Sequence, residues 1–212
     1  MKNYDAYIFD FDYTLADATG PIVESFHYAF DKLNLEKASY DDIVKTIGIP
    51  LGEAYTLLTG DKSQEGIDLF KKYQKEKSDQ ITVKQTVFIG DAKKVLKTLK
   101  SNGKKVGIVS SRWGQRINDI LVNLDARDLV DFIIGTENVD KYKPNPEGLF
   151  KMMEMMEAKN TLYIGDSYID AETAQNAEVD FVGVTTGTTA REKLESYPNV
   201  EVLDDLSGIL AI

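Results

Sequence analysis

The chain of 212 residues contains no cysteine and a single histidine, His27. Without cysteine it has no thiolate nucleophile, no disulfide, and no cysteine-ligated zinc or iron–sulfur site. One histidine excludes a histidine-rich metal site, and a Ser-His-Asp triad would leave no second histidine in the chain. These absences remove several classes of enzyme and metal centre before any motif is considered.

Long apolar runs and basic clusters are also missing. No apolar stretch reaches the length of a membrane span, and residues 1–5 are polar and lack the apolar core of a signal peptide. We therefore expect a cytoplasmic protein without a membrane partner. The formal net charge is −10 at pH 7, and no basic footprint for nucleic acid is visible. An anionic substrate would need a locally positive site, made by a metal and a few cations.

Short apolar segments alternate with amphipathic segments along most of the chain. The segments rich in Val, Ile and aromatic residues, each flanked by Gly, Asp, Ser or Thr, are 6–10, 105–110, 132–135, 162–166 and 181–185. The segments with helical spacing between them are 92–99, 115–124 and 147–156. This alternation predicts an α/β fold with a doubly wound parallel sheet, a Rossmann-like core that binds ligands at the carboxyl ends of its strands.

Residues 17–83 interrupt this alternation. They contain helical stripes and no convincing strand, and Ser39 and Ser63 are placed to cap helices. We expect an all-helical cap domain at 17–83, inserted into a catalytic core made of 1–16 and 84–212. An insertion after the first strand hangs over the carboxyl edge of the sheet, where a lid is useful.

Asp10 and Asp12 follow directly on the first predicted strand. Residues two apart in extended backbone project to the same side, so both carboxylates can face one reacting centre while Phe11 points into the core. Two such carboxylates can divide the roles of nucleophile and acid/base. The alternative is structural: Asp12 caps a turn and Asp10 only ends the strand.

A second pair, Asp166 and Asp170, follows the predicted strand at 162–166. If a helix begins at once, residues four apart lie near one face, and hard oxygen ligands suit Mg²⁺. A helix start with an acidic first turn is the alternative.

Two further elements suit an anion. Ser110 ends a predicted strand, Ser111 and Arg112 follow, and a hydroxyl with free N–H groups there can hold phosphate. Lys143 lies in a loop stiffened by Pro144 and Pro146 and can supply a fixed positive charge. Alone, the first could be a simple helix cap and the second an ordinary surface lysine.

Taken in order, these pieces resemble the haloacid dehalogenase-like phosphohydrolases. Residues 10–14 resemble the DxDxT first motif, Ser110 the second-motif Ser/Thr, Lys143 the third-motif lysine, and Asp166 with Asp170 the GDxxxD fourth motif. The resemblance covers essentially the whole chain. It implies that Asp10 forms an aspartyl-phosphate and that Asp12 protonates the leaving group and then activates water.

The resemblance also implies a Mg²⁺ site and a phosphate site. Mg²⁺ would be held by Asp10, Asp166 and the backbone carbonyl of Asp12, with Asp170 in support. Ser110, the Ser111 N–H and Lys143 would balance the charge of the phosphoryl oxygens.

The chain departs from the family pattern beside the nucleophile. Tyr13 stands where the family usually has glycine, which bears on the local turn and the width of the pocket. Arg112 stands where phosphoglycolate phosphatases often carry lysine. Residues 48–53 of the insertion resemble the substrate-facing loop of phosphoglycolate phosphatase-like members. We expect Tyr13, Tyr55 and Arg112 to contact substrate.

The leading hypothesis is hydrolysis of a small-molecule phosphate monoester by a phosphoglycolate phosphatase-like enzyme. A phosphosugar mutase of the β-phosphoglucomutase type and a pyrophosphatase share the same core and stay open as alternatives. A catalytically idle binding module is disfavoured by the intact acid pair and Lys143. The expected partner is a small phosphorylated substrate, and the expected state is a monomer or small homo-oligomer.

Overall fold

The computed structural model describes residues 4–212. The strands of that part of the chain are β1 (Ala6–Phe9), β2 (Ala16–Asp17), β3 (Val87–Phe88), β4 (Lys105–Val109), β5 (Phe132–Ile134), β6 (Thr161–Gly165), β7 (Asp180–Val184) and β8 (Glu201–Leu203). Six of them form one sheet in the order β5-β4-β1-β6-β7-β8, and every neighbouring pair is parallel. The short strands β2 and β3 form a separate two-stranded sheet.

Helices connect these strands and cover both sides of the sheet. They are α1 (Thr19–Leu33), α2 (Tyr40–Val44), α3 (Leu51–Thr59), α4 (Gln64–Gln85), α5 (Ala92–Ser101), α6 (Gly114–Asn123), α7 (Glu147–Met156), α8 (Tyr168–Ala177) and α9 (Arg191–Glu195). None of the helices within residues 4–212 is both long and apolar enough to cross a membrane. The predicted doubly wound α/β core with a helical insertion is confirmed.

The register of the three central strands decides where polar residues meet. Phe9 of β1 is aligned with Ile108 of β4 on one side and with Ile164 of β6 on the other. All four residues of β1 are buried, as expected for a central strand with both faces covered. Residues that follow these three strands therefore come together at one edge of the sheet.

The chain divides into two compact units. One joins the described residues up to Asp17 with Phe88–Ile212 and contains the six-stranded sheet. The other is Ala18–Val87 and consists of helices α1 to α4 with their connections. Its function as a cap stays a prediction.

The second unit has its own aromatic core around Phe70, which is fully buried. The ring of Phe70 lies 5.1 Å from that of Phe26, 5.6 Å from that of Phe30 and 5.1 Å from that of Tyr55. Helix α1 supplies two of these rings, and α3 and α4 supply the others, so one cluster joins three helices.

Both helix caps predicted in this unit are confirmed. The Ser39 hydroxyl accepts a hydrogen bond from the Asp42 N–H at 3.1 Å, and the Ser63 hydroxyl accepts one from Gly66 at 3.2 Å. Each satisfies an N–H group that the first turn of a helix leaves without a backbone acceptor.

The start of α3 and strand β8 are among the elements that differ from the expectations. Residues 48–53, predicted as a loop, become helical at Leu51, because Pro50 occupies the cap position and its carbonyl accepts from the N–H groups of Glu53 and Ala54. Strand β8 was not predicted, because it is only three residues long and begins with an exposed glutamate.

The core of the second unit gives a stability prediction. Phe70→Ala should lower the free energy of unfolding by about 3–5 kcal/mol, because it empties the centre of the aromatic cluster. Phe150→Ala, at a position on α7 that is 51% exposed, is the matched control and should cost about 0.5 kcal/mol or less. Urea unfolding followed by circular dichroism measures both; equal losses would contradict this account of the core.

Candidate active site

Asp10 lies immediately after β1 and is only 7% exposed. Its backbone N–H donates to the Ile164 carbonyl at 2.8 Å, which continues the pairing of β1 with β6. One carboxylate oxygen, Oδ1, accepts a hydrogen bond from Lys143 Nζ at 2.8 Å. The side chain of Asp10 thus lies at the edge of the sheet where the strands end, and the ammonium of Lys143 lies beside it.

Asp166 occupies the same edge, at the end of β6, and is 4% exposed. The hydroxyl of Thr14 donates to its Oδ1 at 2.9 Å. A Cβ at Gly187, in the loop after β7, would overlap Asp166 Oδ2. Only glycine lets the backbone of that loop come so close, so the loop fixes the carboxylate from the second side.

Asp170 lies in the first turn of α8 and is fully buried. It forms a capping box with Ser167, and its Oδ1 accepts hydrogen bonds from Lys143 Nζ and the Tyr163 hydroxyl, both at 2.7 Å. Asp170 therefore has both of the roles considered from the sequence. It takes part in the cap of α8, and it accepts a hydrogen bond from Lys143 in the site.

Asp10, Asp166 and Asp170 form a group that could hold a cation, since one carboxylate oxygen from each lies within 4.8 Å of the others. Burial raises the pKa of Asp10 to about 6, against the opposing pull of Lys143. Burial, together with the charges of Asp170 and Asp10, also raises the pKa of Asp166 well above its usual range. Three buried carboxylates beside one lysine leave negative charge uncompensated, and oxygen donors fit a hard divalent metal.

Lys143 is the cation at the centre of this group, and its side chain is 8% exposed. Burial works to lower its pKa, but Asp10 and Asp170 raise it well above the ordinary value, so the ammonium stays charged. For Asp170, burial favours the neutral acid, yet Lys143 and the hydrogen bonds lower its pKa on balance. Lys143 is thus a built-in part of the site and not the surface lysine of the alternative interpretation.

Asp12 is half-buried and lies in a tight turn, while Phe11 is fully buried as predicted. Both carboxylate oxygens of Asp12 accept from Arg112: Nε donates to Oδ2 at 2.9 Å and Nη2 to Oδ1 at 2.8 Å. The structure therefore brings Arg112, predicted as a substrate contact, onto the carboxylate of Asp12.

The predicted phosphate-binding residues lie after β4. Ser110 is 7% exposed, its N–H donates to the Ile134 carbonyl at 3.0 Å, and its hydroxyl accepts from the Arg112 N–H at 3.3 Å. Ser111 is half-buried. Because β4 is adjacent to β1, this segment lies at the same edge of the sheet as Asp10.

Tyr13 adopts a φ of 61°, in the left-handed region that favours glycine. This conformation gives a physical reason for glycine at the corresponding place in the family pattern. The Tyr13 N–H donates to the Ala16 carbonyl at 2.9 Å, and the Thr186 hydroxyl donates to the Tyr13 carbonyl. Hydrogen bonds on both sides of the residue thus maintain the strained turn.

The prediction that Tyr55 contacts substrate does not agree with its place in the second unit. Its side chain is packed into the aromatic core, the residue is 3% exposed, and its hydroxyl donates to Asp61 Oδ2 at 2.7 Å. The Tyr55 side chain packs in the core of this unit, as its position in an apolar stripe of α3 could have indicated.

Three residues of the site were not foreseen as contributors. Tyr163, fully buried in β6, places its hydroxyl 3.2 Å from Lys143 Nζ in addition to its bond to Asp170. Thr186 and Gly187 approach from the loop after β7. A strand tyrosine carries no sequence signal beyond its apolar neighbours, and the loop residues become visible only once the chain is folded.

These features define an α/β enzyme with an acidic site at the carboxyl edge of a parallel sheet. The model of the haloacid dehalogenase-like hydrolase family matches residues 7–184, and the chain belongs to that family.

Curated proteins and solved structures resemble it over nearly its whole length. Pyrophosphatase PpaX of Bacillus mycoides (strain KBAB4) is 28% identical over 208 residues, which are 97% of this chain and 94% of that protein. A haloacid dehalogenase-like hydrolase structure from Bacteroides fragilis is 35% identical, with a TM-score of 0.92, and the match covers 98% of this chain and 100% of that one. A predicted phosphoglycolate phosphatase from Haemophilus somnus, at 21% identity and a TM-score of 0.89 over 100% and 98% of the two chains, shares the fold.

The close approach of Gly187 gives a prediction for the metal group. Gly187→Ala should weaken binding of a divalent cation about tenfold or more, because the added methyl displaces the Asp166 carboxylate. Gly20→Ala is the matched control, since its added Cβ meets nothing within 4 Å. Calorimetric titration with Mg²⁺ or Mn²⁺ measures both, and an unchanged affinity in Gly187→Ala would refute the steric argument.

Proposed function

We propose that this hydrolase is a Mg²⁺-dependent phosphatase that cleaves a small-molecule phosphate monoester through an aspartyl-phosphate on Asp10, in the manner of phosphoglycolate phosphatase. The observation that carries the proposal is the buried Asp10 carboxylate, which has Lys143 on one oxygen and two further carboxylates around it. Cationic groups beside a carboxylate nucleophile are what phosphoryl transfer requires, since most of its catalysis is positioning and charge stabilisation.

In the first step a carboxylate oxygen of Asp10 attacks phosphorus, and the bond from phosphorus to the leaving oxygen breaks. The leaving oxygen takes the electron pair and receives a proton from the carboxyl group of Asp12. The products of this step are an alcohol and the aspartyl-phosphate.

In the second step a water molecule attacks the phosphorus of the aspartyl-phosphate, and Asp12 accepts the proton that the water loses. The phosphorus–oxygen bond to Asp10 breaks, which restores the Asp10 carboxylate and releases inorganic phosphate. Asp12 thus regains in the second step the proton that it donated in the first.

Asp10, Asp166 and the Asp12 backbone carbonyl would hold Mg²⁺, with Asp170 in support. The buried, oxygen-only donor set with excess negative charge fits such an ion. When bound, Mg²⁺ supplies charge that offsets the repulsion between the carboxylates and an anionic phosphoryl group. Asp170 contributes chiefly by orienting Lys143, to which its Oδ1 is bonded.

Ser110, the Ser111 N–H and Lys143 would hold the phosphoryl oxygens. Ser110 and Lys143 follow different elements, and their place at the edge that carries Asp10 supports this assignment. Tyr13 and Arg112 remain proposed as residues that border the substrate, with Tyr13 narrowing the pocket beside the nucleophile.

The helical unit would serve as the cap, with the proposed boundaries at 17–83 for the cap and at 1–16 and 84–212 for the catalytic core. A lid of this kind excludes water and selects substrates. The partner would be a small phosphorylated molecule, not a nucleic acid or a membrane. A cytoplasmic location and a monomeric or small homo-oligomeric state stay predictions from the sequence.

Inorganic pyrophosphate is the second candidate substrate. The PpaX pyrophosphatases that resemble this chain do so over 97% of its length. The same two steps would then release phosphate in place of an alcohol.

A substrate panel tests the proposal. With Mg²⁺, the purified protein should release phosphate from at least one small monoester or from pyrophosphate, and Asp10→Asn should lower kcat to background, because no nucleophile remains. Asp91→Asn, at an exposed position that precedes α5, is the matched control and should keep full activity. Turnover that survives Asp10→Asn, or no turnover on any substrate, would defeat the proposal.

The ionisation of Asp10 predicts a pH-dependent effect of Mg²⁺ on stability. Because the folded state raises the pKa of Asp10 from 3.8 to about 6, ionising it costs stability as the pH rises through that window. A bound cation offsets this cost, so Mg²⁺ should raise Tm more at about pH 7.5 than at about pH 5. Differential scanning fluorimetry measures this, and an equal shift at both pH values in the wild type would contradict it.

A further inference from the structure

Arg112 donates two parallel hydrogen bonds to Asp12, although the residues are 100 positions apart in the chain. Nε donates to Oδ2 and Nη2 donates to Oδ1, at 2.9 and 2.8 Å. Paired bonds between a guanidinium and a carboxylate fix the plane of the carboxylate as well as its position. A lysine could supply the charge but not this fork.

The pair is largely removed from water. The side chain of Arg112 is 14% exposed and that of Asp12 is 17% exposed. Burial works to lower the pKa of Arg112, but Asp12 raises it above its ordinary value, so the guanidinium keeps its charge. Taking two charges out of water is costly, and good geometry is needed to offset that cost. The two parallel hydrogen bonds supply that geometry.

The backbone of Arg112 is itself held in place. Its N–H donates to the Ser110 hydroxyl at 3.3 Å, and its carbonyl accepts from the Thr136 N–H at 3.2 Å. Gly135 packs so tightly that a Cβ there would lie 2.6 Å from the Arg112 carbonyl oxygen and overlap the Gly114 nitrogen. The guanidinium thus projects from a fixed point beside the proposed phosphate-binding segment.

Asp12 has less support of other kinds. It lies in the turn between Phe11 and Ala16, where Leu15 and Ala16 both donate to the Phe11 carbonyl at 2.9 Å. These bonds fix the backbone of the turn, but an aspartate side chain still has two rotatable torsions. The paired bonds from Arg112 restrict both torsions.

We propose that Arg112 is a positioning residue that holds the carboxyl group of Asp12 at the leaving-group side of the reaction. This inference rests on the proposed function, in which Asp12 meets the leaving oxygen. Arg112 then acts through Asp12. Loss of the Arg112 guanidinium should therefore slow the reaction most for substrates whose leaving group needs a proton from Asp12.

Substrates with different leaving groups distinguish a residue that orients Asp12 from one that only binds the phosphoryl group. p-Nitrophenolate is a weak base and departs without help, whereas phenolate is a stronger base and benefits from a well-placed acid. A residue that only binds the transferred phosphoryl group would affect both esters equally. A residue that orients Asp12 would affect phenyl phosphate more than p-nitrophenyl phosphate.

The experiment compares kcat, KM and kcat/KM on these two esters, with Mg²⁺, for the wild type, Arg112→Lys, Asp12→Asn and the double variant. Arg112→Lys should lower kcat/KM, which reports the step in which the leaving group departs, about 10-fold to 100-fold more on phenyl phosphate than on p-nitrophenyl phosphate, because the carboxyl group loses its fixed orientation. Asp12→Asn should show the same selectivity, and the double variant should show no further selective loss.

Arg191→Lys is the matched control, because Arg191 also pairs with an aspartate, Asp204, but at β8 and outside the site. It should leave both rates unchanged. Thermal unfolding of each variant reports whether it is folded, and Arg112→Gln takes the place of Arg112→Lys should the latter not fold.

Equal losses in kcat/KM on both esters, a higher KM with unchanged selectivity, or no loss at all would overturn the assignment of Arg112. Failure of the proposed function gives a different result, because the wild type itself would then be inactive on both esters. Activity that is retained in the wild type and lost selectively in Asp12→Asn, but not in Arg112→Lys, would sink only the inference about Arg112.

Discussion

Lys143 connects the parts of the site that would otherwise repel one another. Its ammonium donates to Asp10 and Asp170 and lies 3.2 Å from the Tyr163 hydroxyl, and all four side chains are largely buried. Removing one member of such a buried set leaves the others with uncompensated charge, which is far more costly than losing the pair as a whole. The lysine, the helix start that carries Asp170 and the strand that carries Asp10 therefore depend on one another. These hydrogen bonds set the relative positions of the groups without a substrate.

The parallel sheet also sets the positions of the site residues. Because β1 lies between β4 and β6, three polar segments leave the sheet at one edge and cannot drift apart without breaking the central register. Loops add close packing where the strands end, as Gly187 does against Asp166. The proposed chemistry thus uses charges whose positions are set by hydrogen bonds between strands, which is the preorganisation that phosphoryl transfer needs.

Much of this could be predicted from sequence, for a physical reason. Buried parallel strands have a strong local signature, and residues such as Asp10 and Asp166 directly follow them, so their meeting follows from topology alone. Contacts set by side-chain packing have no such signature. The resemblance marked Arg112 as a substrate contact, because related enzymes often carry lysine there, but its hydrogen bonds to Asp12 depend on tertiary packing. Tyr55 is a related case, since an aromatic residue on a short helix can face either a core or a ligand, and here its ring lies in a core.

The proposed mechanism requires a covalent bond between Asp10 and phosphorus. The direct measurement is to quench the Asp12→Asn variant during turnover of p-nitrophenyl phosphate and to reduce acyl phosphates with borohydride. The substitution slows the second step, and p-nitrophenolate leaves in the first step without an acid. Peptide mass spectrometry should then find homoserine at position 10 and unmodified aspartate at positions 166 and 170. Turnover without any reduced residue, or a modification at a different carboxylate or at Ser110, would contradict the assignment of Asp10 as the nucleophile.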